Sequence, residues 1–261
     1  MNRAKGVLLA ICAWMAISGA ALAQSNVQFS GLAVQSGPDG KNREAQLYVG
    51  DNQVRLEHGR NDQLTVEIYD MKHQRMLLLV PEQKVYMQRE FTLGAAGNPI
   101  TSPADSNPCA SVTDAQCKKV GTDTLYGRSV SQWEMSVKRD DKTLNSLHWM
   151  DDERHMSLRD VWPDGSTTES ILQGKEKLHG RPTERWEQTT TAPDGKKSTT
   201  TLWYDPELKI AVREEMPGGL FREIRDIRVA PQPASLFDVP AGYERVESDT
   251  KTAPAEIPRK P

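Results

Sequence analysis

The chain has 261 residues, a formal charge of −3 at pH 7 and 26% charged side chains, with both signs interleaved along the sequence. Nucleic acids and anionic membrane surfaces are recognised by concentrated basic patches, so this charge pattern argues against both as the main partner. A chain of this length buries about 70% of its unfolded surface as one domain, which is enough for a self-sufficient hydrophobic core.

Residues 1–23 have the three parts of a secretory signal peptide. A basic start contains Arg3 and Lys5, a largely apolar stretch follows, and an Ala-Leu-Ala motif precedes Gln24. This arrangement predicts cleavage between Ala23 and Gln24. The apolar stretch is too short to cross a hydrocarbon layer of about 30 Å. We therefore expect a periplasmic protein with no transmembrane segment in the mature chain.

The region 27–92 consists of short runs in which apolar and polar residues alternate, separated by turn residues. Segments 54–57 and 64–68 follow this pattern, which places apolar side chains on one face of a strand and polar ones on the other. The gaps have hairpin length, and this favours an antiparallel meander over βαβ units with their longer crossovers. The fold predicted is mainly β, with little helix.

A loop with a disulfide is predicted over 94–120, whose first part is rich in Gly, Pro, Ser and Asn. Without the signal peptide, Cys109 and Cys117 are the only cysteines. An even number of cysteines in an exported chain predicts a disulfide. Two thiolates without a nearby histidine do not form a zinc site, and the spacing is not the C-x-x-C of oxidoreductases. A structural disulfide is the better interpretation.

Residues 121–171 and 174–225 form an internal repeat, and each copy is predicted to contain about four strands with turns at Asp/Gly and Pro/Gly pairs. We interpret its tryptophans as core residues rather than a ligand stack, and its arginines as solvent-facing residues beside turn glycines. The matched positions are Gly127 and Gly180, Arg128 and Arg181, Trp133 and Trp186, Trp149 and Trp203, and Asp151 and Asp205.

The densest group of polar residues lies over 148–155, and its spacing matches no recognised metal-ligand pattern. We predict a turn-and-surface role for it, with no metal and no cofactor. The sequence also has no G-x-S-x-G elbow, P-loop or G-x-G-x-x-G motif, so we predict a non-enzymatic protein without catalytic residues. The group consists of His148, Asp151, Asp152, Glu153 and His155.

Four segments carry a resemblance to a known group of proteins: Val-Arg-Leu-Glu at 54–57, the apolar run and turn at 76–86, Trp-Tyr-Asp-Pro-Glu-Leu at 203–208, and Phe-Asp-Val-Pro-Ala-Gly-Tyr at 237–243. In this order they resemble an uncharacterised family of secreted bacterial proteins within the lipoprotein-carrier superfamily. The resemblance implies a strongly bent antiparallel sheet, an unclosed β-barrel, whose concave face holds apolar ligands such as acyl chains.

The organisation predicted is a single antiparallel β domain over 24–246, followed by a polar, Pro-rich tail over 247–261 that we expect to be disordered. The first functional hypothesis is a periplasmic protein that binds or carries a lipid or other apolar ligand on the concave sheet. The alternative is a cell-envelope interaction or regulatory module that docks a protein partner. No ligand-binding residue is assigned from the sequence.

Overall fold

The computed structural model describes residues 27–37, 39–60, 63–90, 107–112, 114–139 and 141–247. The predicted signal peptide with its cleavage point at Ala23 and Gln24, most of the predicted loop and the tail from 248 onward lie outside these residues.

Sixteen strands form within the described residues, each bounded by turn residues as the alternating pattern predicts. The first six are β1 (Phe29–Ser36), β2 (Asn42–Val49), β3 (Gln53–Arg60), β4 (Gln63–Asp70), β5 (Arg75–Val80) and β6 (Val85–Glu90). The next five are β7 (Ala115–Leu125), β8 (Arg128–Arg139), β9 (Lys142–Asp151), β10 (Ser157–Val161) and β11 (Thr167–Leu178). The last five are β12 (Arg181–Thr191), β13 (Lys197–Asp205), β14 (Ile210–Met216), β15 (Leu220–Val229) and β16 (Glu244–Arg245).

These strands form one open sheet with β16 and β7 at its two edges. Strands β1 to β6 make one antiparallel meander and β7 to β15 make another, while β16 pairs in parallel with β6. The two meanders are joined where β15 returns to pair with β1, placing Ala33 opposite Ile224. The predicted mainly β, unclosed antiparallel sheet is confirmed. The described helices are short 3₁₀ turns, at Pro81–Gln83, Pro108–Ser111, Pro217–Gly219 and Ala234–Phe237.

The sheet is strongly bent. Strands β8 and β12 are four positions apart in the sheet, which would separate them by about 19 Å if it were flat. Instead the Arg128 guanidinium of β8 lies 5.7 Å from the ring centroid of Trp186 on β12. The same bend gathers one apolar core around Trp186, made of Val130, Leu158, Trp186, Leu202 and Tyr204.

A second core joins the two meanders. One face of β1, β2 and β3 supplies small and branched side chains, and the turn before β14 together with β14 supplies the rest. Because the partners come from distant parts of the chain, this core holds the two meanders in register with each other. Its buried members are Phe29, Ala33, Ala45, Leu47, Val49, Val54, Leu56, Leu208, Ile210 and Val212.

The other face of the first meander is covered by the chain after β15. Phe237 packs on Val66, Ile68, Leu77 and Leu79, which β4 and β5 present on one face. The covering segment is held at one end by Arg55, whose guanidinium donates to the carbonyl of Leu236 at 2.7 Å, and at the other by β16. The Phe-Asp-Val-Pro motif is therefore the cover of an apolar sheet face.

The two repeat segments contain the same ion-pair arrangement. Arg128 donates to Asp151 and Glu153, and Arg181 donates to Asp205 and Glu207. Each aspartate, 1% exposed, also accepts two backbone N–H groups of the turn that follows its strand. The interpretation of the two arginines as solvent-facing is wrong, because both are 18% exposed and hold these turns in place.

The tryptophans divide into two kinds. Trp186 is fully buried, as predicted for a core residue. Trp149 and Trp203 are half-buried, and each lies beneath the guanidinium of a neighbouring strand, that of Arg159 at 5.3 Å and that of Arg213 at 5.6 Å. Such cation–π contacts stabilise exposed rings by about 0.5–1 kcal/mol, so the prediction that all four are core residues is too broad.

The predicted disulfide is present. It joins Cys109, in the 3₁₀ turn before β7, to Cys117 on β7. The turn is capped by Asn107, whose side chain accepts from the backbone N–H of Cys109 at 3.0 Å. The disulfide therefore attaches the connection between the two meanders to the edge strand of the sheet.

The contact between Phe237 and the first meander can be tested at Gly50. A Cβ atom at this position would lie 2.6 Å from the Phe237 ring, a distance that forces the ring or the strand to move. We expect Gly50→Ala to lower the free energy of unfolding by about 1–3 kcal/mol and Phe237→Ala to lower it by about 3–5 kcal/mol. The measurement is urea unfolding followed by circular dichroism.

Gly59→Ala is the matched control, since a Cβ atom there meets nothing within 4 Å. In the Phe237→Ala background the cost of Gly50→Ala should largely disappear, because the clashing ring is gone. Additive costs in the double variant would contradict the proposed packing.

Candidate groove on the sheet

An open groove with a volume of about 770 Å³ lies on one face of β9 to β12. The register of the strands places its lining side by side: Asp160 is opposite Thr168, and Thr168 is opposite Thr190. Directly opposed residues of antiparallel strands project from the same face, so the groove follows from strand pairing. Its lining consists of Leu144, Asp160, Trp162, Pro163, Asp164, Ser166, Thr168, Gln188 and Thr190.

The lining combines exposed apolar groups with fixed polar groups. Leu144 is 39% exposed and Trp162 is 37% exposed, which is high for large hydrophobic residues. The Trp162 indole N–H donates to the Thr168 hydroxyl at 3.1 Å, so the ring is held against the groove wall. Leu144 and Trp162 form the apolar rim of the groove, and Thr168, Gln188 and Thr190 supply hydroxyl and amide groups to its lining.

A buried hydrogen-bonded chain runs beside the groove. The Ser146 hydroxyl lies 2.7 Å from Nε2 of His148, and Nδ1 of His148 lies 2.7 Å from Oδ1 of Asp160. All three residues are at most 6% exposed. Asp160 also accepts from the Ser157 hydroxyl at 2.5 Å, and the Trp162 ring packs edge-on against the His148 ring, with 5.5 Å between centroids.

The direction of these hydrogen bonds follows from the chemistry of the groups. A carboxylate only accepts, so Nδ1 of His148 donates to Asp160. In a neutral imidazole the other nitrogen then carries a lone pair, and the Ser146 hydroxyl donates to Nε2. The chain of bonds is complete from hydroxyl to carboxylate.

The structure separates the predicted polar group at 148–155. Asp152 and Glu153 are exposed in the turn after β9, as predicted. His148 and Asp151 are buried, so the surface role assigned to them is wrong. Among the described residues, no three His, Cys, Asp or Glu side chains are arranged to hold a metal ion.

Sequence reasoning missed Ser146 and Asp160. One signal was available: Ser146 and His148 are two apart on a predicted strand, which places both on one face. The partner Asp160 depends on the pairing of β9 with β10, where it lies opposite His148. That pairing includes an irregularity between Ser157 and Arg159, which alternation along one strand does not reveal.

The β12 strand continues from the groove into the core. Gln188 in the groove, Trp186 in the core and Glu184 beyond it project from the same face of the strand. Glu184 is 3% exposed and accepts two hydrogen bonds from the Arg154 guanidinium, at 2.6 and 2.7 Å. Burial alone raises the pKa of this carboxyl, but the Arg154 hydrogen bonds and charge outweigh it and hold the pKa below its ordinary value.

No protein-family model matches this chain, and no curated protein does. Solved structures similar to it include a LolA superfamily protein from Nitrosomonas europaea, with a TM-score of 0.40 and 12% identity over 82% of this chain and 90% of that one. A putative outer-membrane lipoprotein-sorting protein domain from Vibrio parahaemolyticus has a TM-score of 0.37 and 11% identity, over 81% and 89% of the two chains.

Pseudomonas aeruginosa MucB, solved in complex with MucA, has a TM-score of 0.21 and 11% identity, over 80% of this chain and 95% of that chain. Similarities of this size carry no information on ligand or activity. Within the described part of the chain, no helix has the length and apolar character needed to cross a membrane.

The Arg154–Glu184 pair makes stability depend on pH. A carboxyl whose pKa is lowered by folding stabilises the fold above its unfolded pKa, and this contribution is lost as the pH falls through the folded pKa. We expect Glu184→Gln to cost about 2 kcal/mol of unfolding free energy at pH 7. The deficit relative to wild type should shrink when the pH is lowered below about 4.5. Chemical unfolding between pH 7 and pH 3 measures it.

Glu187→Gln is the control on the same strand, because the Glu187 side chain is 43% exposed and 3.8 Å from its partner Arg185. Exposed pairs of this kind contribute about 0–1 kcal/mol. A Glu184→Gln deficit that stays constant over the whole pH range would contradict the ion-pair explanation.

Proposed function

We propose that this protein is a periplasmic binding module that takes an amphipathic lipid or a similar small molecule in the β9–β12 groove. The observation that carries this proposal is the exposure of Leu144 and Trp162 at the groove rim. The volume, about 770 Å³, falls within the range of about 300–1,000 Å³ that small-molecule sites occupy.

The lining supports an amphipathic ligand over a bare acyl chain. An apolar segment of the ligand would cover Leu144 and the Trp162 ring, and so remove their exposed surface from water. The side chains of Thr168, Gln188 and Thr190 offer donors and acceptors to a polar head group. Thr168 already bonds to Trp162 and Thr190, and Gln188 bonds to Ser170. A purely apolar ligand would displace water from the remaining donors and acceptors of these groups without replacing its hydrogen bonds, which costs binding free energy.

The rest of the bent sheet supports this location for the ligand. The first meander is covered on one face by residues of β14 and on the other by the Phe237 segment. The protein's own side chains fill much of both surfaces. A second open space, of about 680 Å³, lies over β1, β2 and β15, but among the described residues no exposed large hydrophobic side chain lines it. The β9–β12 groove is open to solvent and large enough for a ligand.

The first experiment is native mass spectrometry of mature protein purified gently from the periplasm, followed by titration with a fluorescent fatty-acid probe. We expect a stoichiometric lipid mass or saturable probe binding. Leu144→Arg should weaken probe binding at least about tenfold, which corresponds to about 1.4 kcal/mol, because a charge would be placed on the apolar rim.

Ile171→Arg is the matched control, since Ile171 is 38% exposed and does not line the groove. It should keep probe affinity within about twofold of wild type, a much smaller change than the tenfold weakening expected for Leu144→Arg. Equal weakening by both substitutions would exclude the groove as the binding site. A clean apo mass, unchanged after incubation with membrane lipids, would favour the alternative, a module that docks a protein partner.

A further inference from the structure

The chain Ser146–His148–Asp160 has the connectivity of an acyl-transfer triad, and we propose that it hydrolyses an ester held in the β9–β12 groove. This deepens the proposed function, since it rests on a ligand in that groove. The hydroxyl, both imidazole nitrogens and the carboxylate are joined in the order that nucleophilic catalysis requires, with both distances at 2.7 Å.

The tautomer is the productive one. Because Asp160 accepts from Nδ1, Nε2 of His148 is left to accept the proton of the Ser146 hydroxyl. A general base within hydrogen-bond distance of the nucleophile, itself oriented by a third group, is the geometric signature of an activated serine. The Ser157 hydroxyl donates to the same Asp160 oxygen, Oδ1, that accepts from His148, and this second bond helps to hold the carboxylate in place.

The chemistry balances without any further reactant except water. The Ser146 Oγ forms a bond to the ester carbonyl carbon as its proton passes to Nε2 of His148. The carbon–oxygen bond to the alcohol then breaks, and the imidazolium returns the proton to the leaving alkoxide. Water, activated by the same imidazole, then attacks the acyl-serine and releases a carboxylic acid and the free hydroxyl.

The groove supplies the route to the nucleophile. Asp160 lines the groove itself, and Leu144 lies two residues before Ser146 on the same face of β9. The Trp162 ring lines the groove, is 37% exposed and packs edge-on against the His148 ring. Moving or removing this ring would therefore open a path from the groove to His148 and to the Ser146 hydroxyl bonded to it.

A donor for the developing oxyanion is present on the same face. Trp133 on β8 lies directly opposite His148 on β9. Its indole N–H is shielded from solvent and has no hydrogen-bond acceptor among the described residues. A buried donor without an acceptor is unusual in a folded protein, and a negatively charged oxygen formed beside His148 would provide one.

The test uses the mature protein with p-nitrophenyl butyrate as substrate and a fluorophosphonate as a serine-reactive probe. We expect measurable ester turnover and a phosphonate adduct that peptide mass spectrometry places on Ser146. Ser146→Ala should lower turnover by about 10³-fold or more. Ser131→Ala is the control, because Ser131 is also buried and bonded to a carboxylate, that of Asp152, at 2.6 Å. It should keep turnover within about twofold, as expected for a residue outside the reacting group.

Trp162→Ala should open the path from the groove to Ser146. The fluorophosphonate should therefore label Ser146 in this variant at least as fast as in wild type. The triad would be overturned if neither wild type nor Trp162→Ala were labelled at Ser146 and wild type turned over the ester no faster than Ser146→Ala. This comparison does not depend on the stability of the variants. Probe binding separates this result from failure of the proposed function: a fatty-acid probe that still binds wild type and Ser146→Ala leaves the binding module intact. If wild type neither binds the fatty-acid probe nor reacts at Ser146, both the binding module and the triad are overturned.

Discussion

Both faces of a single sheet carry side chains, and the apolar ones must be buried. In the described part of this chain no α-helix covers either face. The bend of the sheet is the physical constraint on which the rest of the structure depends. Bending brings β8 against β12, as the Arg128–Trp186 contact records, and brings β14 against the first meander. Apolar area buried in this way supplies the stabilisation that a helical layer gives other folds.

Bending interrupts the regular pairing of the strands at defined places. Register irregularities occur within β9–β10 and within β13–β14, next to Leu158 and Val212. An extra residue in one strand increases twist and bends the strand. Both residues are buried, so the extra residue at each bend also contributes to a core. The Arg128–Asp151 and Arg181–Asp205 pairs fix the turns nearby, which keeps the bends in the same place in both repeat segments.

Alternation along the chain predicts the fold class because it reports burial within one strand. It correctly indicates an antiparallel meander from β1 to β6, whereas the bent and unclosed form of the sheet is implied by the resemblance to the lipoprotein-carrier superfamily. It does not report contacts between strands that are far apart in sequence. The pairing of Ala33 with Ile224, and the packing of Phe237 on Ile68, depend on the curvature of the whole sheet. The Phe-Asp-Val-Pro motif marks this segment in the sequence without indicating what it covers.

In the candidate site, too, alternation within one strand predicts which residues share a face but not which residues of another strand they contact. The pair Ser146 and His148 shares a face by simple alternation, and this could be read from the sequence. Asp160 belongs to the next strand, on the far side of a turn, and its place opposite His148 depends on the exact register at an irregular pairing. A shift of one residue would turn the carboxylate to the other face and break the hydrogen-bonded chain.

That dependence connects the fold to the groove. The β9–β10 register that aligns Asp160 with His148 also sets where Asp160 and Trp162 stand beside Thr168 on β11. Short β10, from Ser157 to Val161, pairs with β11 over only three residues. The turn between β10 and β11 supplies Pro163, Asp164 and Ser166 to the groove lining. The pairing of β10 with its two neighbours therefore positions both the buried hydrogen-bonded chain and the groove beside it.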